Sequence, residues 1–158
     1  MKYLYATLII SLMMGIFVTK VKAQDMLIGK IKLKDLHEVP YKEWFDLQYG
    51  AYTVDKSMLD SIHFNRADKI VLILGTWCGD SKREVPNFFK ILNEKGISNR
   101  KVQIYSVDRK KQISGIDLSV YNLTRIPTFI FYRKGKEIGR IVESPTESLE
   151  KDMARILK

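Results

Sequence analysis

A second cysteine is what this chain lacks. Cys78 stands alone, so no disulfide can close within the chain, and the structural cross-link on which exported proteins commonly spend cysteine is excluded. Histidine is nearly as scarce: His37 and His63 are the only two, and neither has the cysteine or carboxylate spacing that zinc requires. Surface or core roles are expected for both, with no metal and no cofactor. Prolines number only four, no linker rich in Pro, Gly or Ser divides the chain, and no repeat or low-complexity tract occurs. With 46% hydrophobic and 28% charged residues, the composition is that of a folded chain. A length of 158 residues suits one domain with one substantial core and is too short for two ordinary domains.

Long apolar runs are also rare, and the one present lies at the start. Lys2 is followed by an apolar stretch over residues 3–18 and then by Val21-Lys22-Ala23. A short basic region, an apolar run and small residues at −3 and −1 predict a signal peptide over residues 1–23, cleaved after Ala23. At about 16 residues the run falls short of the roughly 20 that a membrane span needs. Export to the periplasm is therefore expected, with membrane contact only if the signal stays uncleaved. No cysteine follows the run, which excludes lipidation at a new N-terminus. Cleavage removes Lys2, Lys20 and Lys22 and no acid, lowering the formal net charge from +9 to +6. The remaining cations, among them Lys30, Lys32, Lys34, Arg109, Lys110, Lys111, Arg133, Lys134 and Lys136, lack the aromatic interleaving of a single-strand-binding groove. A solvated basic surface is expected, and nucleic acid is not a partner.

What the mature chain does contain is a sequence of well-marked elements. Residues 24–54 read as an N-terminal extension with a short helix at 41–49. A helix is predicted over 55–64, where Met58, Leu59 and Ile62 share a face. Ile70-Val71-Leu72-Ile73-Leu74 is a continuous aliphatic run of strand length, the pattern of a strand covered on both faces. Val85, Phe88, Phe89 and Leu92 fall at i, i+3, i+4 and i+7, the stripe of a helix that ends near Gly96. Strands follow at 102–107 and 128–132, separated by a polar, mildly helical stretch. Lys134-Gly135 turns the chain into a strand over 137–142. Ser144-Pro145-Thr146-Glu147 reads as a helix start, with Ser144 the cap and Leu149, Met153, Ile156 and Leu157 the apolar face. This order predicts an α/β domain over 55–158, a mixed central sheet flanked by helices.

Cys78 falls where the central strand meets a helix N-terminus, in Gly75-Thr76-Trp77-Cys78-Gly79-Asp80-Ser81. Trp77-Cys78-Gly79, with Pro86 eight residues after Cys78 and Ile126-Pro127-Thr128 just before a strand and hairpin, resembles the thioredoxin family. The resemblance covers about 55–158 in motifs, element order and spacing. More closely, the Cys-x-Asp-Ser motif and Gly139-Arg140-Ile141-Val142-Glu143-Ser144-Pro145 resemble an exported thioredoxin-like group of Bacteroidetes-type bacteria. The resemblance implies a thioredoxin-like fold and a cis bond at Ile126-Pro127, which X-Pro base rates alone would make trans. It further implies thiol-disulfide exchange at Cys78, and substrate contacts from Trp77, Gly79, Ile126, Pro127 and Thr128. Three departures stand against dithiol reduction: Ser81 replaces the resolving cysteine, Asp80 replaces the usual proline, and Leu72 stands where a buried acid is often found.

Three local influences act on the Cys78 thiolate, the nucleophile of exchange. The helix N-terminus favours the anion, Asp80 opposes it with Lys82 and Arg83 screening, and a Ser81 hydroxyl donating to the sulfur favours it. A mixed disulfide at Cys78 has no internal thiol to resolve it. The expected activity is therefore monothiol exchange or isomerisation with protein or small-molecule thiols and disulfides, completed by an external resolving thiol. The alternative is a redox-inactive module that binds extended peptide beside Trp77 and Ile126-Pro127.

Overall fold

The computed structural model describes residues 26–158. The expected signal peptide, 1–23, lies outside the described residues. Among those residues no helix is long and apolar enough to cross a membrane.

Among the described residues five strands, β1 (Gly29–Ile31), β2 (Asp68–Leu74), β3 (Val102–Ser106), β4 (Thr128–Arg133) and β5 (Lys136–Val142), form one sheet in the order β1-β3-β2-β4-β5. Only the β2/β3 pair is parallel. The aliphatic run of β2 sits near the middle, buried on both sides, as its lack of alternation predicts. The β4–β5 turn uses Lys134 and Gly135, both at positive φ (52° and 79°). That is the backbone that matches a tight hairpin to strand twist, and the glycine adopts it without steric penalty.

The helices are α1 (Lys42–Ala51), α2 (Lys56–Leu59), α3 (Gly79–Lys95) and α4 (Leu149–Ile156). All four bury their apolar residues in one core, where Phe45, Val85, Phe88, Phe89, Leu92, Leu149 and Met153 meet Ile70, Leu72, Phe129 and Phe131. Helix α3 closes at Gly96, whose φ of 75° lets its own N–H and that of Ile97 reach back to the Leu92 carbonyl. The opposite sheet face has a smaller cluster: Val71, Ile73, Tyr105, Val107 and Ile130 under Ile113, Leu118 and Ile126. Its cover is the segment 108–127, whose regular structure is one 3-10 turn, Ser119–Tyr121.

Two helix boundaries differ from the sequence reading. The helix expected over 55–64 is only the single turn α2, capped by Asp55, whose carboxylate accepts from the Ser57 N–H at 3.0 Å. After Leu59 the chain bends, because the His63 N–H donates to the Leu157 carbonyl instead of continuing a helix. The last helix is capped by Ser148, which accepts from the Lys151 N–H, and not by Ser144. Residues 144–147 are held as a loop: Ser144 Oγ accepts from Arg83, and the Thr146 N–H donates to Asp152 at 2.6 Å.

The extension is integral to the fold. Strand β1 adds an edge to β3, and α1 packs on α3. Tyr52 donates to Glu150, which is 1% exposed, and the Asp55 N–H donates to the same carboxylate. Burial, reinforced by Glu150, pushes the Tyr52 hydroxyl well above its ordinary value.

Candidate functional site

The site grows from the C-terminal end of β2, where Gly75, Thr76 and Trp77 carry the chain to α3. Gly75 is required by contact: a Cβ there would lie 2.8 Å from both Ile126 Cδ1 and Trp77 Nε1. Trp77 then sets its indole across the end of β3, donating from Nε1 to the Val107 carbonyl at 3.0 Å. Cys78 is the residue that caps α3, in extended conformation, and is half-buried. Its thiol donates to the Ile126 carbonyl at 3.6 Å. The thiol thus faces the start of the Ile126-Pro127 peptide, which is cis. The unpaired N–H groups and partial positive charge at the start of the 17-residue α3 favour an anion at this position.

The two neighbours expected to act on the sulfur are engaged elsewhere. Ser81 is 0% exposed, and its Oγ accepts from the Gly75 N–H at 3.2 Å; the hydrogen bond expected from its hydroxyl to the sulfur does not form. It ties the first turn of α3 to the end of β2, six residues back. Asp80 pairs with Arg83 at 2.7 Å, which offsets the charge expected to oppose a thiolate. Arg83 also bonds the nearly buried Glu84 at 2.7 Å and Ser144 at 2.9 Å. Hydrogen bonds to Glu84 and then Asp80 hold its guanidinium above the ordinary arginine value. Arg83 is therefore committed to joining α3 to the loop before α4.

On the other wall Ile126, Pro127 and Thr128 are all buried, and Thr128 Oγ1 donates to the Arg125 carbonyl at 2.6 Å. Of the substrate-contact residues expected, Trp77 and Gly79 offer exposed surface, whereas Ile126, Pro127 and Thr128 are buried. The Pro127 carbonyl accepts from the Glu143 N–H. His37 bonds Asp46 at 2.7 Å on the exposed rim of the helical layer, away from Cys78.

One participant was missed. Arg109 places its guanidinium 5.1 Å from the centre of the Trp77 ring. The available signal was positional: Asp108-Arg109 follow β3, the parallel neighbour of β2, so they leave the sheet at the same end as Cys78.

A family model described as thioredoxin matches residues 52–155. The chain belongs to the thioredoxin family. It is 29% identical to thioredoxin H9 of Arabidopsis thaliana over 148 residues, covering 91% of this chain and 93% of the plant protein. A thioredoxin-like protein of Acanthamoeba polyphaga mimivirus is 27% identical over 84 residues, covering 53% of this chain. That match spans only 58% of the viral protein's own length. In fold, the chain resembles a Pseudomonas aeruginosa protein of unknown function, with a TM-score of 0.57 at 11% identity over 82% of this chain and 90% of that one. Within this thioredoxin-family domain, Cys78 is the sole thiol and Ser81 stands buried three residues later.

Proposed function

We propose that this chain is an extracytoplasmic monothiol exchange protein, acting through Cys78 on protein or small-molecule disulfides. The observation that carries the reading is the half-buried Cys78 thiol at the first turn of α3, facing the Ile126 carbonyl across an open edge at Gly79. The Cys78 thiolate attacks one sulfur of a substrate disulfide; that S–S bond breaks, a Cys78-to-substrate disulfide forms and the other half departs as thiolate. Ser81 cannot resolve the adduct, so a second thiol from outside must attack it and regenerate Cys78. When that thiol belongs to the same substrate the outcome is isomerisation, with no net oxidation. When it is an external thiol, it attacks the substrate sulfur, Cys78 leaves as thiolate, and the resolving thiol becomes disulfide-bonded to that substrate half, while the other half keeps the thiol released in the first step. An internal partner acts at an effective molarity of roughly 10⁵ M or more when well oriented, and its loss makes release slow. The site suits isomerisation or prolonged capture better than fast reduction.

Alkylation of Cys78 followed against pH, with mass spectrometry of adducts formed on a disulfide peptide, tests the reading. Reaction near neutral pH and a one-to-one mixed disulfide, absent from Cys78→Ser, are expected; a thiol unreactive below pH 9 would sink it. Export rests on the residue 1–23 pattern, and a secreted product beginning at Gln24 is the expected N-terminal sequence.

A further inference from the structure

We infer that the sheet face opposite the helices carries a second recognition site, a groove for an acidic polypeptide segment, at the end of the sheet away from Cys78. A recess of about 980 Å³ opens there, crossed by β1, β3, β2 and β4. Its cations are Lys30, Lys32, Lys69, Arg100, Lys101 and Lys134, and among the described residues its lining contains no carboxylate. The register explains the clustering. Lys30 lies opposite Tyr105, Val71 opposite Gln103 and Lys69 opposite Tyr132, so strand alternation sends Lys30, Gln103, Lys69 and Tyr132 to one face.

Among the described residues none of the six cations in this recess forms an ion pair within 4 Å, although Lys101 acts at longer range on the Asp68 carboxylate. Arg83, Arg125, Arg133, Arg140, Lys151 and Arg155 each have a carboxylate partner within 4 Å, whereas none of the six groove cations does; other unpaired cations among the described residues, such as Lys42 and Lys110, lie outside the recess, which is set apart by gathering six of them. Lys101 donates to the Arg66 carbonyl, and the nearest buried acid, Asp68, is held by Arg133. Gathering like charges in a recess is unfavourable unless an anion fills it. The segment 108–127 reaches the recess only through Tyr121, and among the described residues no helix covers the rest of this face.

The occupant follows from charge and shape. Residues 1–25 bring Lys2, Lys20 and Lys22 against a single acid, Asp25, and a second copy brings the same cationic excess; neither complements the groove. The tyrosines are not open stacking faces for bases: Tyr121 packs on Tyr105 at 5.8 Å, and Tyr105 is hydrogen-bonded to Gln103. A recess across four strands, roughly 15 Å at 4.8 Å spacing, receives about five residues of extended chain. The groove lies about 20 Å from the thiol, the length of β2. An acidic partner bound there leaves Cys78 uncovered, and binding requires no sulfur, so it stands or falls separately from the exchange chemistry.

The test is titration of the reduced full chain with a blocked hexaglutamate peptide, read by backbone amide shifts and repeated at rising salt. Shifts are expected to cluster at Lys30, Lys69, Gln103 and Tyr132 and to fade with salt. The exposed triple variant Lys30→Glu, Lys69→Glu, Lys134→Glu should weaken binding by roughly tenfold or more, with the corresponding Lys→Gln variant intermediate. A charge-matched variant elsewhere, Lys42→Glu, Lys56→Glu, Lys110→Glu, should stay within about twofold of wild type. Equal weakening by the two triple charge reversals would mean attraction to net charge alone and would overturn the proposal. Tighter lysine-dependent binding of a single-stranded oligonucleotide or of phosphatidylglycerol vesicles would overturn it as well.

Discussion

The two faces of the sheet divide the work of this protein unequally. Beneath the helices, Phe45, Phe88, Phe89, Phe129 and Phe131 are at most 1% exposed. Phe88 alone has Phe129, Phe89 and Phe131 at ring distances of 4.6, 5.6 and 6.4 Å. On the other face, Trp77, Tyr121 and Tyr132 are only partly buried, the cover is a loop, and Cys78 stands at its margin. A chemical site needs accessible groups and a scaffold that does not yield when they are approached. Packing concentrated on one face leaves the other free to expose a thiol, an indole and uncompensated charge.

That contrast is measurable. Phe88→Ala should cost about 3–5 kcal/mol by denaturant unfolding, whereas Leu118→Ala, on the loop-covered face where the cavity can collapse, should cost about 2 kcal/mol. Equal losses would erase the distinction between the faces. Gly75→Ala tests their junction. The Trp77 and Ile126 contacts at 2.8 Å must open, for about 1–3 kcal/mol of overpacking, and in a Trp44→Phe background the Trp77 emission should shift as its bond to Val107 is lost.

Asp68 probes the base of the helical face. It is 0% exposed and accepts two hydrogen bonds from Arg133, which in turn donates to the Lys158 and His63 carbonyls. The Arg133 hydrogen bonds hold the Asp68 carboxyl below its ordinary value. Its stabilisation is therefore complete above the unfolded-state value near 3.9 and is lost as pH falls through the lower folded value. Asp68→Asn should lower Tm by about 5 °C or more at pH 7. The gap from wild type should narrow only below about pH 4. A gap independent of pH would remove the ionic account. The smallest effect belongs to the exposed face: Arg109→Ala should remove about 0.5–1 kcal/mol of contact with Trp77 and shift its emission without altering the fold.

Much of this architecture was legible in the chain. The unbroken aliphatic run of β2, the four-residue stripe of α3 with Gly96 behind it, and Lys134-Gly135 between two strands each carry a local cause that tertiary context did not override. The helix ends were less legible. Helix α2 stops after Leu59, and α4 starts at Ser148 and not Ser144, because groups around them are used in ways only the fold reveals: His63 turns to Leu157, and Ser144 to Arg83. Residues 24–54 gave a helix but no partner for it, since packing of α1 on α3 joins segments some forty residues apart.

At the candidate site the division is sharper. Sequence alone determined that one thiol, with no internal partner, sits beside a tryptophan at the junction of a buried strand and a helix, because those facts depend on residue identity and local period. Only the tertiary structure decided that Ser81 bonds Gly75, that Asp80 is neutralised by Arg83, that Arg109 covers Trp77 and that lysines from two strands and from the connections beside them share one recess. Each of these depends on how a side chain's reach, charge and burial are met by atoms that the fold brings to it, and local spacing holds no record of which atoms those will be.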